Sequence, residues 1–271
     1  MNNEQITINN SKLTINNEKI RSAFKGKKAF IPFITGGDPD IETTEKLLYA
    51  LVEAGADIIE IGIPFSDPIA EGPVIEAADE RALKAGCTVD KLFDLVAHIR
   101  QDIKIPILFM TYYNPVFAYG VDRFTDRCAA CGINGLIVPD LPFEERDELL
   151  EPCVSRGLEL ISLIAPTSDE RIARIARGSS GFLYCVSSLG VTGERNKIGG
   201  SARLMIELAK QANNIPCAVG FGISTPEQAR ETAEYADGVI VGSAIVRIVA
   251  EHGRDCVEPV RRFAKNIKQM L

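Results

Sequence analysis

Residues 57–73 read DIIEIGIPFSDPIAEGP: a short β-branched run passes directly into a proline-rich loop, and each half carries a carboxylate of interest. At the strand period of two, Ile59, Ile61 and Ile63 fall on one face and Ile58, Glu60 and Gly62 on the other. An acid thus stands where a core residue is expected. In apolar surroundings the charged form is disfavoured, which makes such a group a proton donor or acceptor usable near neutral pH. The other reading, a glutamate paired with a buried arginine or hydroxyl, stands beside it at this point.

Outward from this stretch the same kind of run recurs. AFIPFIT (29–35), PILFMTY (106–112), GLIVP (135–139), LELISLI (158–164), GFLYCV (181–186), PCAVGF (216–221) and GVIVG (238–242) join DIIEIGI (57–63) to make eight. Between them lie helical patterns such as IETTEKLLYALVEAG, apolar at three- and four-residue spacing and closed by glycine. Strict strand–helix alternation implies a parallel sheet, and eight units in 271 residues favour one closed (β/α)8 barrel of the α/β class over an open sheet. The interval after the second strand holds two helix-length segments, near 74–85 and 89–101. The asparagine-rich residues 1–17 are expected to form a loosely held tail, leaving 18–271 as the catalytic barrel.

Composition narrows the function classes. With 46% hydrophobic and 25% charged residues the chain can bury a large core. A net charge of -7 argues against a nucleic-acid or anionic-membrane surface, both of which need a basic footprint. No apolar run approaches a membrane span and no signal segment opens the sequence, so a cytoplasmic location is expected. The seven cysteines are an odd number and are expected to be reduced and partly buried. Cys128 and Cys131 form a lone CxxC without a second ligand pair, and His98 and His252 lie far from any glycine-rich loop. A metal site or a histidine-based triad finds no support in this pattern.

In barrels of this kind the active site is built from the loops after the strands' C-terminal ends. After the sixth strand, SSLGVTGERNKIGG (187–200) carries four glycines and no apolar periodicity, and reads as a mobile lid or as a solvated connection. The seventh and eighth strands run into GFGIST (220–225) and GSAIVRI (242–248). Glycines let backbone N–H groups approach phosphate oxygens, and a helix N-terminus adds positive potential without lysine. Gly193 is a third candidate contributor. No GxGxxG follows the first strand and no Walker sequence occurs, which argues against a dinucleotide or ATP site.

EIGIPFSDPIAEGP (60–73), IPFITGGD (31–38), YCVSSLGVTG (184–193), GFGI (220–223) and GSAIV (242–246), in this order, resemble the tryptophan synthase alpha subunit family. The likeness runs from about Lys19 onward, and PFSDP directly after the second strand is its most specific signature. It implies retro-aldol cleavage of indole-3-glycerol phosphate to indole and glyceraldehyde 3-phosphate, with no metal or organic cofactor. By matching position, Glu60 is the general acid and base, Glu71 the loop carboxylate that bonds the indole N–H, and Tyr184 a group that positions them. Phe33, Tyr112, Ile164 and Phe221 match the indole pocket, although as strand residues each reads equally well as core. Gly193, Gly222, Gly242 and Ser243 match the phosphate contacts, and Thr192 the lid. Asp67, with Pro64, Pro68 and Pro73 stiffening its loop, matches the face that meets a pyridoxal-phosphate beta subunit in an α2β2 tetramer.

One position departs from the family pattern: Glu71 stands where aspartate is usual, and its extra methylene moves the carboxylate by over an ångström. Three other functions fit the same residues. They are a stand-alone lyase releasing free indole, an inactive barrel that activates its partner, and a different phosphosugar enzyme on this fold.

Overall fold

Eight β-branched runs hydrogen-bond in parallel and close on themselves, each strand pairing with its two sequence neighbours and the last with the first. The computed structural model describes residues 7–9, 12–14, 17–186, 195–220 and 222–271, with side chains described from 17 to 186, 202 to 220 and 222 to 271. The barrel strands are β1 (Ala29–Thr35), β2 (Ile59–Gly62), β3 (Ile107–Met110), β4 (Gly135–Ile137), β5 (Glu159–Ile164), β6 (Leu183–Val186), β7 (Cys217–Gly220) and β8 (Gly238–Val241). All eight predicted runs are strands, most of them trimmed by a residue or more at their ends. The two extra helices after β2 are present as Pro73–Lys84 and Val89–Ile99. Pro73 is the first residue of the former, where its missing N–H costs nothing.

The alternation seen in 57–63 sets the layers. Ile59, Ile61 and Ile63 pack in the large cluster between strands and helices together with Phe30, Ile34 and Phe109. Ile58 joins Ile31, Leu108, Ile137, Ile161, Phe182 and Ile240 in the barrel interior. Both faces of the strands are thus mostly apolar, as expected of a parallel sheet covered on both sides, and Glu60 is an exception on the inward face.

Polar groups at the N-terminal end tie the barrel floor together. The Asp57 carboxylate accepts the Phe30 N–H at 2.8 Å and binds Lys268 at 2.6 Å and Lys27, joining the C-terminal helix Val257–Gln269 to the start of β2. Asn17 caps the short helix Glu18–Ser22 with its side chain, while its own N–H donates to Oε1 of buried Glu159 at 2.9 Å. Within 1–17, Thr7–Asn9 and Lys12–Thr14 pair as a two-stranded antiparallel sheet.

The segment 187–200 divides. Residues 187–194, with the lid residues Thr192 and Gly193, lie outside the described residues, but Arg195–Ala212 is a helix rather than part of an unstructured loop. In sequence, Ile198 continues the helical spacing of the buried Ala202, Met205, Ile206 and Ala209, a pattern that Gly199 and Gly200 obscure.

Candidate active site

Glu60 lies in the middle of β2 on the inward face, fully buried, in register with Phe33 on one side and Leu108 on the other. Neither of its carboxylate oxygens has a hydrogen-bond partner among the described residues. No buried arginine or hydroxyl among the described residues pairs with it, so the structure offers no support for the paired-glutamate reading. Burial holds the carboxyl well above its ordinary range and favours its protonated form.

Tyr184 projects from β6 into the same interior, among Ile137, Ile161 and Ala218. Its ring lies over the backbone of Gly220 at the end of β7: a Cβ there would stand 2.5 Å from the phenol oxygen. Burial, and then the charge that Glu60 would carry, push Tyr184 ionisation far up, so its hydroxyl stays a neutral donor beside the acid.

Phe33 fills the space on the other side of Glu60. A Cβ on Gly62 would meet its ring at 2.6 Å, and one on Gly242 would meet it at 3.3 Å. The ring also packs on Ile75 and Val246, with Met110 bridging toward the interior cluster. Phe33, Ile75, Val246 and Met110 thus make an apolar surround beside the buried acid. Ile164 does not join it. It packs with Leu160 and Leu136 outside the sheet, while its neighbour Leu163 faces inward.

The loop after β2 folds back over the end of β3. The Tyr112 hydroxyl accepts the Ala70 N–H at 2.9 Å, and its ring lies 5.5 Å from that of Phe65. Tyr112 therefore anchors the loop that carries Glu71. Glu71 is half-buried, and its carboxyl faces that of Asp79, which is 3% exposed. Burial first, then each other's proximity, raise Glu71 to about 8, and burial raises Asp79 to about 6. Asp79 was not singled out in the sequence. The signal was there: on the 73–84 helix it shares the stripe of buried Ile75, Ala78 and Ala82, an acid at a core position like Glu60. A further buried group, the Thr35 hydroxyl at the C-terminal end of β1, also has no partner among the described residues. Asp38, in the loop after β1, fixes this helix through a bidentate pair with Arg81 at 2.8 and 2.7 Å.

Two turns frame the opposite side. Gly222 has φ +72°, with none of the described residues within 4 Å of where a side chain would begin, and Gly242 precedes the ten-residue helix Ser243–His252 with Ser243 exposed at its start. The first N–H groups of that helix have no intrahelical acceptor, which suits its end to an anion, and Gly242 brings it beside the Phe33 ring. Gly193, Thr192 and Phe221 lie outside the described residues. Asp67 is exposed on the β2 loop, near Ile69, which is 81% exposed.

The structure thus gathers Glu60, Tyr184, Phe33, Glu71, Tyr112, Gly222, Gly242 and Ser243 around the C-terminal mouth, and leaves Ile164 outside. The chain is also similar over most of its length to known proteins. The family model described as tryptophan synthase alpha chain matches residues 20–271. The tryptophan synthase alpha chain of Lacticaseibacillus casei is 49% identical over 92% of this chain and 94% of its own, and that of Synechocystis is 52% identical over 91% and 95%. Among solved structures, tryptophan synthase subunit alpha from Legionella pneumophila superposes with a TM-score of 0.84 at 37% identity, covering 93% of this chain and 97% of the other. A chain of the tryptophan synthase complex from Pyrococcus furiosus gives 0.81 at 38% identity, covering 89% and 98%.

Proposed function

The chain belongs to the tryptophan synthase alpha chain family, and from that premise we propose how its own residues divide the work of cleaving indole-3-glycerol phosphate. The observation that carries the assignment is Glu60, a buried inward acid with no hydrogen-bond partner among the described residues.

The reaction needs a proton on C3 of the indole ring and the removal of one from the adjacent side-chain hydroxyl. Glu60 supplies both steps. Its proton goes to C3, the bond from C3 to the hydroxyl-bearing carbon breaks as the carbonyl forms, and the hydroxyl proton returns to the carboxylate. A carboxylate stranded in that apolar setting takes the proton back readily. General acid–base catalysis of this kind is worth roughly 10²- to 10⁴-fold. Tyr184 orients the acid, Phe33 supports the ring, and Glu71 accepts the indole N–H, opposing the positive charge that develops on the protonated ring. The Gly222 turn and the Ser243 helix start take the phosphate, so an acidic protein holds a dianion through backbone N–H groups.

The product indole passes to a beta subunit in an α2β2 assembly. Asp67 and Ile69 after β2, with Phe117, which is 68% exposed on the Tyr113–Tyr119 helix after β3, form the face offered to it. No helix among the described residues is long and apolar enough to cross a membrane, and we place the protein in the cytoplasm.

The test is indole release from indole-3-glycerol phosphate by the purified chain, with and without its beta partner. Glu60→Gln is expected to abolish it while phosphate binding persists. Unchanged turnover in that variant would refute the assignment.

A further inference from the structure

The assignment above leaves one buried acid at the site without a part. Asp79 stands across from Glu71 with the two carboxyl groups within hydrogen-bonding range, and its Oδ2 also accepts the Phe65 N–H at 3.4 Å. Glu71 Oε2 is buried and no N–H or O–H of the described residues points to it. Two carboxylates placed face to face repel, whereas a carboxylic acid and a carboxylate bind each other through the proton between them. The geometry therefore needs one proton in the pair.

Resting on the lyase reading, we propose that Asp79 is a positioning residue for this reaction: it holds the Glu71 carboxyl through a shared proton and takes that proton over when Glu71 accepts the indole N–H. The step balances within the pair. The O–H bond on Glu71 breaks, one forms on Asp79, the pair keeps a single negative charge, and no outside donor is required. Glu71 then faces the ring as a carboxylate without drawing a proton from solvent. The pairing also gives the longer glutamate side chain a fixed position, which answers the reach problem raised by its extra methylene.

The surroundings suit such a pair. Glu76, on the same helix as Asp79, adds negative charge and discourages full ionisation. From the turn after β3, the Tyr112 phenol stays neutral, burial having pushed it up to about 12. From the loop after β1, Asp38 also faces Asp79, but its charge is matched by Arg81. The Cys87 thiol, pushed up to about 11 by burial, stays neutral as well.

Two measurements test this. In the substrate-free wild-type chain, carboxyl-carbon NMR should show Glu71 and Asp79 titrating as one coupled pair that keeps a proton at pH 7; two fully ionised groups at that pH would overturn the proposal. Second, pH profiles of kcat and of kcat/KM for indole release should differ between the wild type and both Asp79→Asn and Asp79→Ser. We expect a limb displaced by about one pH unit and a roughly tenfold loss in kcat/KM at pH 7, with Asp79→Glu restoring part of it. Variants that fold as the wild type does and keep its profile would also overturn it. The two readings fail separately: a wild type that releases no indole at any pH removes the lyase assignment, while the NMR titration judges the proton pair alone.

Discussion

The phenol of Tyr184 rests on the backbone of Gly220, so close that the first carbon of any side chain there would stand 2.5 Å from its oxygen and 2.7 Å from Cζ. Real Cβ contacts do not come under 3.0 Å, and the backbone of β7 is pinned by its two neighbouring strands, so the ring must give way. Gly220→Ala is expected to displace Tyr184 and lower kcat by on the order of 10²-fold, the cost of about an ångström of misplacement. The barrel should still fold. Steady-state kinetics beside a melting curve would check this, and a variant with wild-type kcat would show that the position of Tyr184 is immaterial.

Glu60 should leave a mark on stability as well as on rate. Its folded-state pKa is raised, so above about pH 4.5 the folded chain keeps a proton that the unfolded chain releases. Its contribution is fully present below that pH and is lost as pH rises toward the folded value. Glu60→Gln removes this slope. The variant should become progressively more stable than the wild type between pH 5 and 7, by up to about 1.4 kcal/mol per pH unit. Urea denaturation at three pH values measures it; parallel pH dependences would mean that Glu60 is ionised in the folded chain.

At the opposite end of the barrel, Asp57→Ala should cost about 3 kcal/mol, because it leaves the Phe30 N–H without its acceptor and Lys268 and Lys27 without theirs. Lys268→Met should cost about 1 kcal/mol or less, since Lys27 remains and the lost pair is partly solvated. Urea midpoints of the two variants would rank them; equal losses would contradict this division.

Ile69 and Phe117 are large apolar side chains left in water after neighbouring strands. Phe117→Ser should weaken binding of the beta subunit by more than tenfold, as loss of an aromatic anchor commonly does, and leave the isolated chain's melting temperature within a degree or two. Titration calorimetry with the beta subunit reads the effect; unchanged affinity would place the interface elsewhere.

Much of this was legible in the chain because parallel barrel strands are runs of β-branched residues with few imitators, and because Glu60 breaks such a run on one face. Ile164 was not legible. In LELISLI both faces are apolar, so alternation alone cannot say which one turns inward, and the side chains that do are Ile161 and Leu163. Asp79 was missed for a different reason. One acid in a helical stripe resembles a solvated residue until the loop carrying Glu71 is seen to fold against it. The helix from Arg195 was hidden by Gly199 and Gly200, whose low propensity masks a stripe sustained by packing further along.

The bond between Asn17 and Glu159 spans 142 residues of chain. During synthesis at about 5–20 residues per second, the capping residue waits on the order of ten seconds before its acceptor leaves the ribosome. The Glu18–Ser22 helix therefore takes its final seat only after more than half the barrel has emerged. Closing the floor is completed late in the life of each new chain, and truncated nascent chains that end before β5 lack this bond to the first helix.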